Sequence, residues 1–134
     1  MIDQLMEDHD QIRDTAATLR AFLIEDGMPI GRWFATARWT LTRHLLRHLA
    51  TEEVVLRGHG GAAQTASATV ARGSFAQHYR QHVSHWTPER IDREWPRYRQ
   101  ELGAILNTLD RRMTFEEREI YPKLSRPGAI AATA

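Results

Sequence analysis

The chain has 134 residues and sets 18 Lys and Arg against 17 Asp and Glu, a formal net charge of +1 at neutral pH. That length fits one domain around one hydrophobic core, and the near-zero balance gives no electrostatic case for nucleic acid or a membrane surface as partner. Cysteine is absent, which excludes disulfides, cysteine-based zinc sites and thiol catalysis.

The N-terminal stretch MIDQLMEDHDQIRD is acidic and polar, unlike a signal peptide, and no apolar run is long enough to span a bilayer. The expectation is a soluble cytoplasmic protein. Leu5, His9, Ile12, Ala16, Leu19 and Leu23 recur at spacings of three and four, which predicts a first helix. Asp3 can cap its start and DGMPIG ends it. A second helix is predicted from about Trp33 to Arg57, with Phe34, Ala37, Leu41, His44, His48, Glu52 and Val55 along one stripe. GHGG stops it.

The segment 62–73 is small and polar and reads as a loop or a weak helix. A third helix follows, with Phe75, His78, His82 and either His85 or Trp86 on one face. TPERIDREWP then breaks or kinks the chain. The fourth helix carries Tyr98, Leu102, Ile105, Leu109, Arg112, Glu116 and Ile120 and ends at YPKLSRPG. Residues 125–134 read as a frayed tail on a domain spanning 1–124. No segment alternates convincingly as a strand. Four helices with mostly short connections predict an all-α protein, an antiparallel up-down-up-down four-helix bundle.

The inner stripes hold unusual residues. His9, His44, His48, Glu52, His78, His82, Arg112 and Glu116 occupy positions where a plain bundle places Leu or Ala. Buried ionisable groups without partners cost several kcal/mol, so these must find one another or a cation. With a rise of about 1.5 Å per residue, depth can be counted from the helix ends. His9, His48 with Glu52, and Arg112 with Glu116 fall at comparable depth. His78 joins them if the third helix starts near Val70, and His82 then lies one turn deeper.

Imidazole and carboxylate donors together suit iron, manganese, zinc or copper. A His and a Glu four residues apart face the same way, so one helix can offer a nitrogen and an oxygen to one ion. His78 and His82 can chelate in the same manner. No Glu-x-x-His occurs in the chain, which argues against the ferritin-like di-iron pattern. Two stretches read almost alike: HLATEEVVL from His48 and RMTFEEREIYP from Arg112.

The order His9, His48 with Glu52, His78 and His82, then LDRRMTFEEREIYP resembles the hemerythrin-like, HHE cation-binding domain over nearly the whole chain. The resemblance implies metal-ligand roles for His9, His48, Glu52, His78 or His82, and Glu116 or Glu117. It implies one or two iron ions as cofactor and a function in binding or sensing O₂, nitric oxide or peroxide, in stress response, or in handling iron. Arg112 stands where the pattern places the last histidine. A guanidinium is permanently charged and donates only, so it cannot ligate a metal. It can instead reach Glu52 or Glu116 as a cation of the protein's own, which leaves one ion, a weakened pair or none as the possible occupancies.

Plainer roles stand beside these. A lone core histidine such as His44 is usually hydrogen-bonded, His85 can pack on Trp86, and the four tryptophans read as core and helix-end anchors. The competing function is a degenerate, metal-free bundle that serves as a regulatory protein-protein interaction module. Catalysis is the weakest reading, because nothing resembles a nucleophile-base pair.

Overall fold

A computed structural model describes residues 2–59 and 66–124. Of the segment 62–73, expected as a loop or a weak helix, residues 66–73 are helical and 62–65 lie outside the described residues, as does the expected frayed tail, 125–134. All regular structure among the described residues is helical: α1 (Ile2–Phe22), α2 (Arg32–His59), α3 (Ala66–His85), a short α4 (Pro88–Arg93), α5 (Trp95–Phe115), a π-helical turn (Glu116–Ile120) and α6 (Tyr121–Leu124).

In α1 the stripe Leu5, His9, Ile12, Ala16 and Leu19 is buried. Gly31, at φ 99°, turns the chain into α2 through a conformation that disfavours other residues. The third helix starts at Ala66, one turn before the Val70 start that places His78 at the depth of His9. Helices of this length are held by tertiary packing more than by propensity, and buried Arg72 and Phe75 supply such anchors early in α3.

TPERIDREWP forms two elements. The Thr87 side chain accepts a hydrogen bond from the Arg90 backbone N–H, Pro88 occupies the first turn, and α4 results. Glu94, at φ −121° and ψ 42°, separates it from α5, which again opens with a proline in its first turn. Trp95 Nε1–H donates to the Glu25 carbonyl at 2.8 Å, as does Arg99 Nη1–H. These bonds tie the end of α1 to the start of α5.

Residue pairs show how the helices meet. Early α1 meets late α2 at His9 and His48, and late α1 meets early α2 at Phe22 and Phe34. Glu53 of α2 pairs with Arg72 of α3, while Thr42 bonds Tyr79. Phe75 faces Arg112 of α5, whereas His82 bonds Glu101. The large core runs from Ile12, Leu45 and Met113 to Phe34, Trp86 and Trp95. A second apolar group, Leu5, Leu56, Tyr121 and Leu124, closes one end. None of the described helices is long and apolar enough to cross a membrane.

Candidate metal centre

Between the large core and the small end cap lies a polar layer. His9 comes from α1, His48 and Glu52 from α2, and Glu116 from the π turn; all four are buried, and one donor atom from each lies within 4.8 Å of the others. The i, i+4 spacing in α2 puts His48 and Glu52 on one face, with Nε2 of the first 3.3 Å from Oε2 of the second. His9 Nε2 lies 3.0 Å from His48 Nε2 and 3.2 Å from Glu116 Oε1.

The π turn determines what faces this layer from the fourth long helical stretch. In an ordinary helix residues five apart point about 140° apart, since each residue turns the helix about 100°. Here the Tyr121 backbone N–H bonds the Glu116 carbonyl, an i→i+5 closure. That wider turn brings Glu116 and Tyr121 onto the same buried face. The Tyr121 hydroxyl donates to Glu52 Oε2 at 2.6 Å and lies 3.1 Å from His9 Nε2.

Both histidines are oriented from behind. His48 Nδ1–H donates to Asp8 Oδ2 at 3.0 Å, and His9 Nδ1–H donates to Glu117 Oε2 at 2.6 Å. Arg13 holds the same Glu117 oxygen at 2.8 Å. A carboxylate on the outer nitrogen of each imidazole fixes the ring and turns its Nε2 inward, an arrangement typical of metal-binding histidines.

The charges balance through shared protons. Burial lowers the His9 pKa, outweighing the pull of Glu117, which favours a neutral ring with its Nε2 turned into the layer. Burial acts the same way on His48, but hydrogen bonds to Glu52 and Asp8 reverse it and raise its pKa. Glu52 is depressed despite its burial by hydrogen bonds from His48, Glu116 and Tyr121. Burial and the Glu52 charge raise Glu116 well above the carboxylate range, which favours its protonated form beside the Glu52 charge. Burial and the two carboxylates keep the Tyr121 phenol protonated.

Two imidazole nitrogens and two carboxylates make a donor set for a borderline transition metal. One buried donor atom is still unsatisfied: Glu52 Oε1 has no hydrogen-bond partner among the described residues. An unpaired buried carboxylate oxygen is costly, and a cation would satisfy it. The residues fit one ion.

His78 and His82 are not in this group. α3 passes the polar layer at Arg72 and Phe75, so His78 comes one turn late and faces solvent. Tyr79, next to it, takes the core position and donates its hydroxyl to Thr42. His82 is buried, but its Nδ1 bonds Glu101 Oε2 at 2.6 Å, an oxygen that also accepts from Trp86 Nε1 at 2.5 Å. Arg112 does not reach Glu52 or Glu116 as an ion pair. Its guanidinium sits 4.9 Å from the centre of the Phe75 ring, a cation–π contact. Glu52 already has His48 and Tyr121 as partners, and the aromatic face supplies the place where Arg112 rests.

His44 is half-buried, with its Nδ1 unpartnered among the described residues. Asp8, Glu117 as a support for His9, and Tyr121 were not marked by spacing alone. The signals available were the Asp8–His9 adjacency and the Glu116–Tyr121 interval of five, which becomes meaningful only with a π turn.

The chain belongs to the hemerythrin HHE cation-binding domain family, whose model matches residues 1–124. Its buried His/Glu cluster is one that could hold a metal ion. Neither a curated protein nor a solved structure matches the chain.

Proposed function

We propose that this protein binds a single metal ion, iron, through His9, His48, Glu52 and Glu116, and uses it to bind or sense O₂, nitric oxide or peroxide. The scaffold is an antiparallel up-down-up-down four-helix bundle, a reading supported by the way each helix pair meets start to end. One observation carries the metal assignment: two Nε2 atoms and two carboxylates converge in a buried layer while Glu52 Oε1 has no partner among the described residues.

Two histidines with carboxylate suit non-haem iron that keeps open coordination positions. A bound iron would supply a Lewis-acidic, redox-capable centre for a small ligand. A cavity of about 90 Å³, lined by Arg72, Arg112, Phe115 and Glu116 among others, abuts the cluster and could admit such a ligand. The same wall argues for one ion over two, since it presents Arg72 and Arg112, the latter resting on Phe75, and no imidazole among the described residues. Asp8 and Glu117 orient the imidazoles, and Tyr121 holds a proton against Glu52.

A metal-free interaction module competes with this reading. Its support is that His48 already pairs Glu52 and Asp8, and that Tyr121 donates to Glu52, without an ion. Metal analysis of protein purified without an affinity tag separates the two. Iron is expected in the wild type and lost in His48→Ala; equal metal content in both would overturn the assignment.

A further inference from the structure

Away from the polar layer, a cavity of about 220 Å³ opens between α2, α3 and α5. Leu41, Val83, Trp86 and Leu102 supply much of its wall, with Tyr79 and Tyr98 beside them. A cavity of about 150 Å³ with apolar walls is enough to hold benzene, so this one admits a single ring with a small substituent. Flat aromatic neighbours favour a ring over an aliphatic chain.

One wall residue carries a fixed charge. Arg38 Nη2–H donates to the Trp86 carbonyl at 3.1 Å, and the guanidinium carbon lies 6.0 Å from the Tyr98 ring centre and 5.7 Å from that of Phe34. These contacts hold the group in place. Among the described residues, no Asp or Glu oxygen lies within 4.0 Å of it. Glu101 Oε2 already receives both His82 and Trp86. Nor do the nearby hydroxyls supply an anion: Thr42 donates to the Arg38 carbonyl, and Tyr79 therefore donates to Thr42. The cavity thus joins apolar aromatic walls to one preorganised cation that lacks a counter-charge.

We propose that this cavity binds a small aromatic monocarboxylic acid, its ring between Leu41, Val83, Trp86 and Leu102 and its carboxylate on Arg38. The planar guanidinium matches a carboxylate's two oxygens, and a single cation matches a single negative charge. No residue of the His9–Glu116 cluster lines the cavity, so the site is independent of metal binding.

The test uses benzoate on the full-length protein, with benzyl alcohol as its neutral counterpart, followed by calorimetry and by the indole N–H signals in NMR. Benzoate is expected to bind at least about tenfold tighter than benzyl alcohol, a factor equal to 1.4 kcal/mol. The Trp39 and Trp86 signals should move while that of Trp33 stays. Arg38→Gln should erase the preference for the acid, Arg38→Lys should keep part of it, and Val83→Trp should block both compounds. Absence of binding, equal affinity for acid and alcohol, an undiminished preference in Arg38→Gln, or benzoate binding that survives Val83→Trp would each overturn the proposal.

Discussion

At one end of the molecule Glu52 meets His48 and Tyr121 with its side chain 0% exposed; at the other, Glu101 meets His82 and Trp86 with its side chain 39% exposed. Each carboxylate accepts from a histidine and from an aromatic side chain, and both histidines are buried. The solvent makes the difference. Glu101 keeps part of its hydration, so its charge needs nothing further, and His82 serves as a hydrogen-bonded core residue. Glu52 and Glu116 have lost theirs, and must share a proton, borrow the charge of His48 or take up a cation. Type and spacing of residues do not distinguish a candidate metal centre from a structural pair here; access of water to the carboxylate does.

The largest expected effect follows from removing each carboxylate in turn. Glu52→Ala removes the acceptor shared by His48 and the Tyr121 hydroxyl and leaves both facing a dry void, a loss of about 3–5 kcal/mol for a broken buried pair. Glu101→Ala strands two donors that water can partly reach, a loss of about 1–2 kcal/mol. Urea unfolding of the metal-free variants measures both, and equal losses would erase the contrast between the two ends.

Tyr121→Phe comes next. It deletes one hydroxyl that donates to a charged acceptor inside the sealed layer, with an expected cost of about 1.5–3 kcal/mol. If that variant unfolds at the wild-type urea concentration, the π turn does not deliver Tyr121 into the layer as described.

The smallest effects are in pH dependence, where the two ends should respond oppositely. Burial lowers the His82 pKa below its ordinary 6.5. The unfolded chain therefore binds the proton more readily, and stability falls as the pH drops below that value. The His48 pKa is raised above 6.5, despite burial, by Glu52 and Asp8. Its contribution is complete below that value and is lost as the pH rises through the higher folded pKa. His82→Gln should thus flatten the acid side of the metal-free stability profile, and His48→Gln the alkaline side. Changes on the same side in both variants would contradict the assignment of charge states.

Much of this was legible in the sequence. The three-and-four spacing of Leu5, His9, Ile12, Ala16 and Leu19 identified both a helix and its buried face, and depth counting brought His9, His48, Glu52 and Glu116 to one level. Helix α3 was harder, for two physical reasons. From Phe75, a step of three reaches His78 and a step of four reaches Tyr79; both continue to His82, and the larger aromatic took the core. The weakly patterned segment before Val70 also extends the helix by a turn, which moves His78 past the level of the cluster. Tyr121 was hidden because the period of 3.6 residues turns it away from Glu116, and only the π turn brings it back. From sequence Arg112 presents itself as a counter-ion, but the Phe75 face that holds it is a feature of packing between helices.

Stoichiometric loading followed by native mass spectrometry tests the central claim most directly. Untagged wild-type protein is stripped with a chelator, incubated with excess ferrous iron without oxygen, and desalted before measurement. A single buried set of two imidazoles and two carboxylates, walled by Phe75, Arg72 and Arg112, predicts one iron per chain and none in Glu52→Ala. Two irons per chain in the wild type, or none, would contradict it.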